Sequence, residues 1–323
     1  MEKLSPVVRE AFGIRSARRE KGYYLCNADY DEGGIIKVHI TTDTAESIRL
    51  QHSVKEHLAI KGFPHTNRYK LTKTGQPFIT IGRETYVAVI QPQGQHELDF
   101  DNDNAVLMAF EALARFHIAG INMPQKNISV AIPLPEVYAR QLGELAQAGK
   151  QARRVSRMSD FDVAFIKHSP HTTKTIQHAI DLLEKTSYSS LFSQAVAQTT
   201  LCHNVLKEEN IQTTTGATYI NNFAQSSIDH QATDLAALIR RYAQRSSRNI
   251  PINRLVATYD NIYPLPADAV DILRAQLIFP WSFMKLVNQY YSKKRNWAPN
   301  GLHNRMDTIL SERESYENYI EKW

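Results

Sequence analysis

The apolar residues of this chain change their spacing once, at a polar segment of proline, glycine and glutamine, Gln91-Pro-Gln-Gly-Gln95. Before it, short β-branched and aromatic runs alternate with turn residues: Tyr23 to Cys26, Gly34 to Ile40, Pro77 to Ile81 and Thr85 to Ile90. Such runs predict strands, with Thr74-Gly75 and Gly82-Arg83 as turns. Between the second and third, Thr44 to Ile60 sets Ile48, Val54, Leu58 and Ala59 on one helical face, and Gly62 stops it. Beyond Gln95 the apolar positions recur every three or four residues, as in Val106, Leu107, Phe110, Leu113 and Ala114, where Asp101 or Asp103 is available as N-cap. Further stripes run through Ile176, Ala179, Ile180 and Leu183, through Leu235, Leu238, Ile239 and Tyr242, and along Ala267 to about Tyr291. The pattern predicts an α+β chain of two lobes: an antiparallel sheet with one helix over residues 1–90, a hinge at 91–95, and a larger helical lobe over 96–323.

Composition narrows the function classes. With 42% hydrophobic and 22% charged residues the chain can bury a core, and no apolar run approaches the roughly 20 residues needed to cross a bilayer. The charged opening MEKLSPVVREAFGIRSARREKG has no apolar h-region, so no secretory signal peptide and cytosolic synthesis are expected. Cys26 and Cys202 lack metal-ligand spacing and read as packing residues. The net charge of +5 is spread along the chain, and its densest run, Lys150 to Arg157, reads as a solvated face, so nucleic-acid binding is not expected.

Chemistry concentrates in Leu201 to Ile211, LCHNVLKEENI. In the phosphotransferase pattern HxDxxxxN, His203 and Asn210 take the outer positions and Val205 stands where an aspartate accepts the substrate's hydroxyl proton. Twelve residues after Asn210 comes Asn222, at the end of a short strand where kinases place a metal-binding aspartate, and twelve further on Asp234 opens a helix. In aminoglycoside- and choline-kinase-like proteins a carboxylate there supports the catalytic loop. Lys37, within the strand Gly34 to Ile40, falls where such folds put a lysine for the nucleotide phosphates; Glu56, or less plausibly Gln51 or His52, is its candidate partner.

Together these marks resemble the CotS-like spore-coat proteins, a branch of the kinase-like fold related to aminoglycoside and choline phosphotransferases. The resemblance covers nearly the whole chain. It rests on Lys55 to Pro64, Leu71 to Gln76, Leu113-Ala-Arg-Phe-His117, LCHNVLKEENI, Leu277-Ile-Phe-Pro-Trp281 and Asn288-Gln-Tyr-Tyr291. It implies a protein of an endospore-forming bacterium, associated with the spore coat and with other coat proteins as partners.

The departures concern catalysis. Val205 cannot accept a proton, and Asn222 lacks the charge that Mg²⁺ prefers, so ATP with Mg²⁺ is expected to bind weakly through Lys37, Asn210 and Asn222. Glu208, Glu209 and Asp229 are conceivable replacements, but carboxylates on such loops are more often ordinary charges. The favoured expectation is a pseudokinase serving as a binding or assembly scaffold in sporulation. The rival is a divergent ATP-dependent small-molecule phosphotransferase, whose substrate side would be the insertion from Asn127 to about Gln198.

Overall fold

A computed structural model describes residues 3–28, 34–124, 128–154, 156–292 and 299–323. Asn127, the start of the insertion, and Val155, within the basic run, lie outside the described residues.

The chain begins with helix α1 (Pro6–Phe12), then strands β1 (Ile14–Arg19), β2 (Tyr24–Ala28) and β3 (Ile35–Thr41), helix α2 (Ala45–Ile60), and strands β4 (Phe78–Ile81) and β5 (Glu84–Gln91). The five strands form one antiparallel sheet in the order β1-β2-β3-β5-β4. Its alternation gives two apolar faces. Ile36, Val38, Tyr86 and Ala88 join Val8 and Phe12 of α1 on one side, while Val87 packs with Ile48 of α2 on the other. Cross-strand partners share a face, so Lys37, opposite Val89, and His39, opposite Val87, stand on the α2 side.

Two elements here escape the sequence pattern. Strand β1 is IRSARR, buried only at Ile14, and an exposed edge strand has no alternation to reveal it. Helix α1 has seven residues, too short for a stripe.

Past Gln91 the chain turns through Gly94, whose φ of 69° suits glycine, into β6 (His96–Glu97) and helix α3 (Asp103–Ala119). The cap of α3 is Asn102, whose side chain accepts from the Ala105 N–H; neither Asp101 nor Asp103 takes that role, because Asp101 instead receives the Ser247 N–H at 2.7 Å. Helices α4 (Leu134–Arg154), α5 (Asp160–Glu184) and α6 (Tyr188–Ala197) follow, then β7 (Leu201–Cys202), β8 (Ile211–Thr213), β9 (Thr218–Ile220) and β10 (Ser227–Ile228). The chain ends in α7 (Ala232–Arg245), α8 (Ile252–Asp260), α9 (Ala267–Ile278), α10 (Trp281–Tyr291) and α11 (Pro299–Glu321). The stretch from Ala267 to Tyr291 is thus two helices, since Pro280 removes an amide donor and breaks the ladder.

The helical lobe has two cores. One gathers Phe110, Leu113 and Phe116 of α3 with Leu235 and Ile239 of α7 and Leu255 of α8, and it takes in Val54 and Leu58 of α2. The other unites α4, α5, α9, α10 and α11 around Tyr138, Phe165, Phe279 and Met306. Because α2 buries residues against the sheet and in the first core, it ties the two lobes together. Among the described residues no helix is long and apolar enough to cross a membrane.

Candidate functional site

The loop from His203 to Asn210 leaves β7 and enters β8, and Asp234 in the first turn of α7 fixes it from beneath. The Asp234 carboxylate is fully buried and accepts the His203 N–H at 2.6 Å, the Asn204 N–H at 2.7 Å and the His117 Nε2–H at 3.1 Å. Burial alone would push this carboxyl up, but these hydrogen bonds hold it below the ordinary carboxylate range. His117 is oriented in turn by the Tyr259 hydroxyl, 2.7 Å from its Nδ1.

His203, also fully buried, lies 2.7 Å from the Asn221 carbonyl through Nε2 and accepts the Val205 N–H at Nδ1, 3.2 Å away. A carbonyl on one side and an N–H on the other select the neutral Nε2–H tautomer. Burial lowers the His203 pKa in the same sense. Phe223 packs edge-on to His203 and stacks on Phe116, with ring centroids 5.3 and 6.0 Å apart, which anchors the turn after Asn222 in the first core.

Two asparagines of the site adopt left-handed backbone, Asn204 with φ 67° and Asn222 with φ 64°. Asparagine tolerates this region better than other residues with a side chain. Asn210 donates its Nδ2–H to the Val205 carbonyl at 2.8 Å, which turns its Oδ1 toward Asn222. The Asn222 Nδ2–H then donates to that Oδ1 at 3.2 Å. Amide orientation follows from these partners: a carbonyl accepts only from the nitrogen end of Asn210, so the oxygen end needs a donor.

The family described as "Spore coat putative kinase YutH" matches residues 6–323. The chain belongs to that family. Spore coat protein S of Bacillus subtilis is 22% identical over 275 residues, covering 82% of this chain and 77% of that protein. The endospore coat-associated protein YutH of the same organism is 21% identical over 255 residues, covering 73% of this chain and 74% of the relative. Among solved structures, an aminoglycoside phosphotransferase from Alicyclobacillus acidocaldarius superposes with a TM-score of 0.82 at 16% identity, covering 99% of this chain and 96% of its own. A spectinomycin phosphotransferase in its AMP-bound complex gives a TM-score of 0.66 at 13% identity, covering 94% of this chain and 92% of its own. The fold is therefore that of the kinase-like phosphotransferases, with a small antiparallel-sheet lobe and a helical lobe.

In this member of the YutH family the structure brings together His203, Val205, Asn210, Asn222 and Asp234. It does not join Lys37 to Glu56. Lys37 lies 4.6 Å over the Tyr23 ring, and Glu56 is held by Arg68, whose Nε is 3.0 Å away. Nor do the other candidates meet Lys37, since Gln51 donates to Asp43 at 3.0 Å and His52 sits 3.8 Å from Glu56. The inward residues of α2 are Ile48, Gln51, Val54, Lys55 and Leu58, so no carboxylate faces the sheet from this helix. Glu208 is clamped by Arg241 and Arg245 of α7, Glu209 is exposed beside Lys207, and Asp229 is buried with its carboxylate on the His230 N–H and the Thr233 hydroxyl.

The sequence reading missed a polar bridge between the lobes. Asn67, in the segment after α2, donates its N–H to Asn221 Oδ1 at 2.6 Å and its side-chain amide to Gln95 at 2.9 Å and Gln212 at 3.1 Å. Its carbonyl accepts the Lys55 ammonium at 2.7 Å, and that ammonium also lies 4.0 Å over the Tyr69 ring. Burial lowers the Lys55 pKa to about 7, against the opposing pull of Asp43 and Glu56. Scattered amides have no period, and the only sequence signal was Lys55 at an apolar position of α2.

Proposed function

We propose that this chain is a kinase-like component of the spore coat that binds and organises other coat proteins without transferring phosphate. The names of its relatives carry coat association, and membership of the family brings it to this chain. The observation that carries the inactive reading is the Asn222 to Asn210 hydrogen bond at 3.2 Å beside Val205. A phosphotransferase of this fold needs a proton acceptor near the substrate hydroxyl and oxygens converging on Mg²⁺. Valine offers no acceptor, and the Asn222 amide points a donor at the Asn210 oxygen that a cation would need. This donor set does not fit Mg²⁺.

The rival reading, an ATP-dependent phosphotransferase of small molecules, draws on Lys37. Among the described residues it has no carboxylate partner and would be available to a phosphate. A thermal-shift titration with ATP, with and without Mg²⁺, separates the two, because a ligand that binds only the folded state raises apparent stability. The pseudokinase reading expects no Mg²⁺-dependent shift; a large one that requires Mg²⁺ overturns it.

A further inference from the structure

A cavity of about 1060 Å³ opens in the helical lobe between α5, the C-terminal half of α7, the turn joining α9 to α10, and α11. No residue from His203 to Asn222 lines it. Its size is at the upper end of small-molecule sites, which run from about 300 to 1,000 Å³. Phe279, Trp281, Phe283 and Tyr316 supply aromatic wall, and the charged side chains of the lining comprise five lysines and arginines against three glutamates.

Arg240 of α7 sets the chemistry. Burial lowers its pKa from the ordinary arginine value, its surface is only partly accessible, and it lines the cavity. One nitrogen, Nη1, donates to the Gln276 carbonyl at 2.8 Å, and the guanidinium lies 5.8 Å from the Trp281 ring. Among the described residues no carboxylate pairs with it. An enclosed guanidinium without an anion is costly. A cation with no carboxylate partner beside an aromatic-walled space is complementary to a ligand with an anionic head and an apolar body.

We infer that this cavity binds a small organic anion, its carboxylate or phosphate received by Arg240 and its aromatic or aliphatic body lying against Trp281 and Phe283. The site is independent of the loop around Val205 and stands whether or not that loop is active. Arginine suits the role because its planar fork meets two oxygens at once.

The test uses the full chain and the fluorescent anion 8-anilinonaphthalene-1-sulfonate, with uncharged N-phenyl-1-naphthylamine as its neutral counterpart. The wild-type protein binds the sulfonate saturably at one site, and benzoate or phenyl phosphate displaces it whereas benzyl alcohol does not. The stronger competitor of the two tells whether the head is a carboxylate or a phosphate. Arg240→Met weakens the sulfonate at least tenfold and leaves the neutral dye within twofold, and Arg240→Lys falls between. Without ligand, Arg240→Met melts no lower than wild type, because it removes an unpaired buried charge. Displacement by benzyl alcohol as readily as by benzoate overturns the inference from the wild-type protein alone. So does an equal loss of both dyes in Arg240→Met.

Discussion

Asn222 donates its side-chain N–H to the Oδ1 of Asn210 across 3.2 Å, while Asn210 spends its own N–H on the Val205 carbonyl at 2.8 Å. The three residues thus close a set of hydrogen bonds in which the Asn210 oxygen already has a donor. An aspartate at 222 would set two acceptors against each other and call for a metal between them. On the pseudokinase reading proposed above, the two positions agree: Val205 offers no proton acceptor and Asn222 no carboxylate for a metal.

Asn222→Asp exchanges that donor for a charge facing an oxygen. Loss of the hydrogen bond costs about 1 kcal/mol in chelator, and Mg²⁺ restores part of it. Thermal melts with EDTA and with Mg²⁺ measure both. Adding Val205→Asp produces no phosphoryl transfer to hydroxylated small molecules above background ATP hydrolysis, because catalytic geometry tolerates errors of only about half an ångström.

Asp234→Asn leaves donors around a buried position with a single acceptor oxygen, and costs about 3 kcal/mol or more in urea unfolding at neutral pH. The folded pKa of Asp234 is depressed, so its contribution is fully present above the ordinary value of 3.8 and is lost as the pH falls through the folded value. The deficit of the variant therefore narrows only below pH 3.8.

Lys55 gives a signature of the same sign at higher pH. Its folded pKa of about 7 lies below the ordinary 10.5, so between those values the unfolded chain binds a proton that the native chain does not. Stability of the wild type relative to Lys55→Met therefore rises with pH in that window, by at most about 1.4 kcal/mol per pH unit. Comparing the two proteins isolates Lys55 from Asp229, which burial pushes up to about 7 and which both carry.

Phe223 is fully buried between Phe116 and His203. Phe223→Ala costs about 3–5 kcal/mol by leaving a cavity under the loop, and Phe223→Leu less than about 1.5. Chemical denaturation checks the ratio.

The lobes and the loop were legible because their signals are local. A change of hydrophobic period needs only a window of sequence, and the spacing of His203, Asn210, Asn222 and Asp234 is set by short connections that the chain cannot stretch. That Glu56 does not meet Lys37 was not legible, because neighbouring helix positions differ by about 100°. Lys55 turns inward and Glu56 outward, so a shift of one residue exchanges a buried ammonium for a surface carboxylate. The bridge through Asn67, Gln95, Gln212 and Asn221 was hidden for another reason: its members lie up to 154 residues apart, and amides carry no periodic mark.

Calorimetric titration of ATP into the wild-type protein, repeated with Mg²⁺ in excess and with EDTA, tests the central claim most directly. The Asn222 donor on the Asn210 oxygen predicts weak or absent binding and the same heat in both buffers. Micromolar binding that requires Mg²⁺ would contradict it and return the chain to the ATP-dependent phosphotransferases.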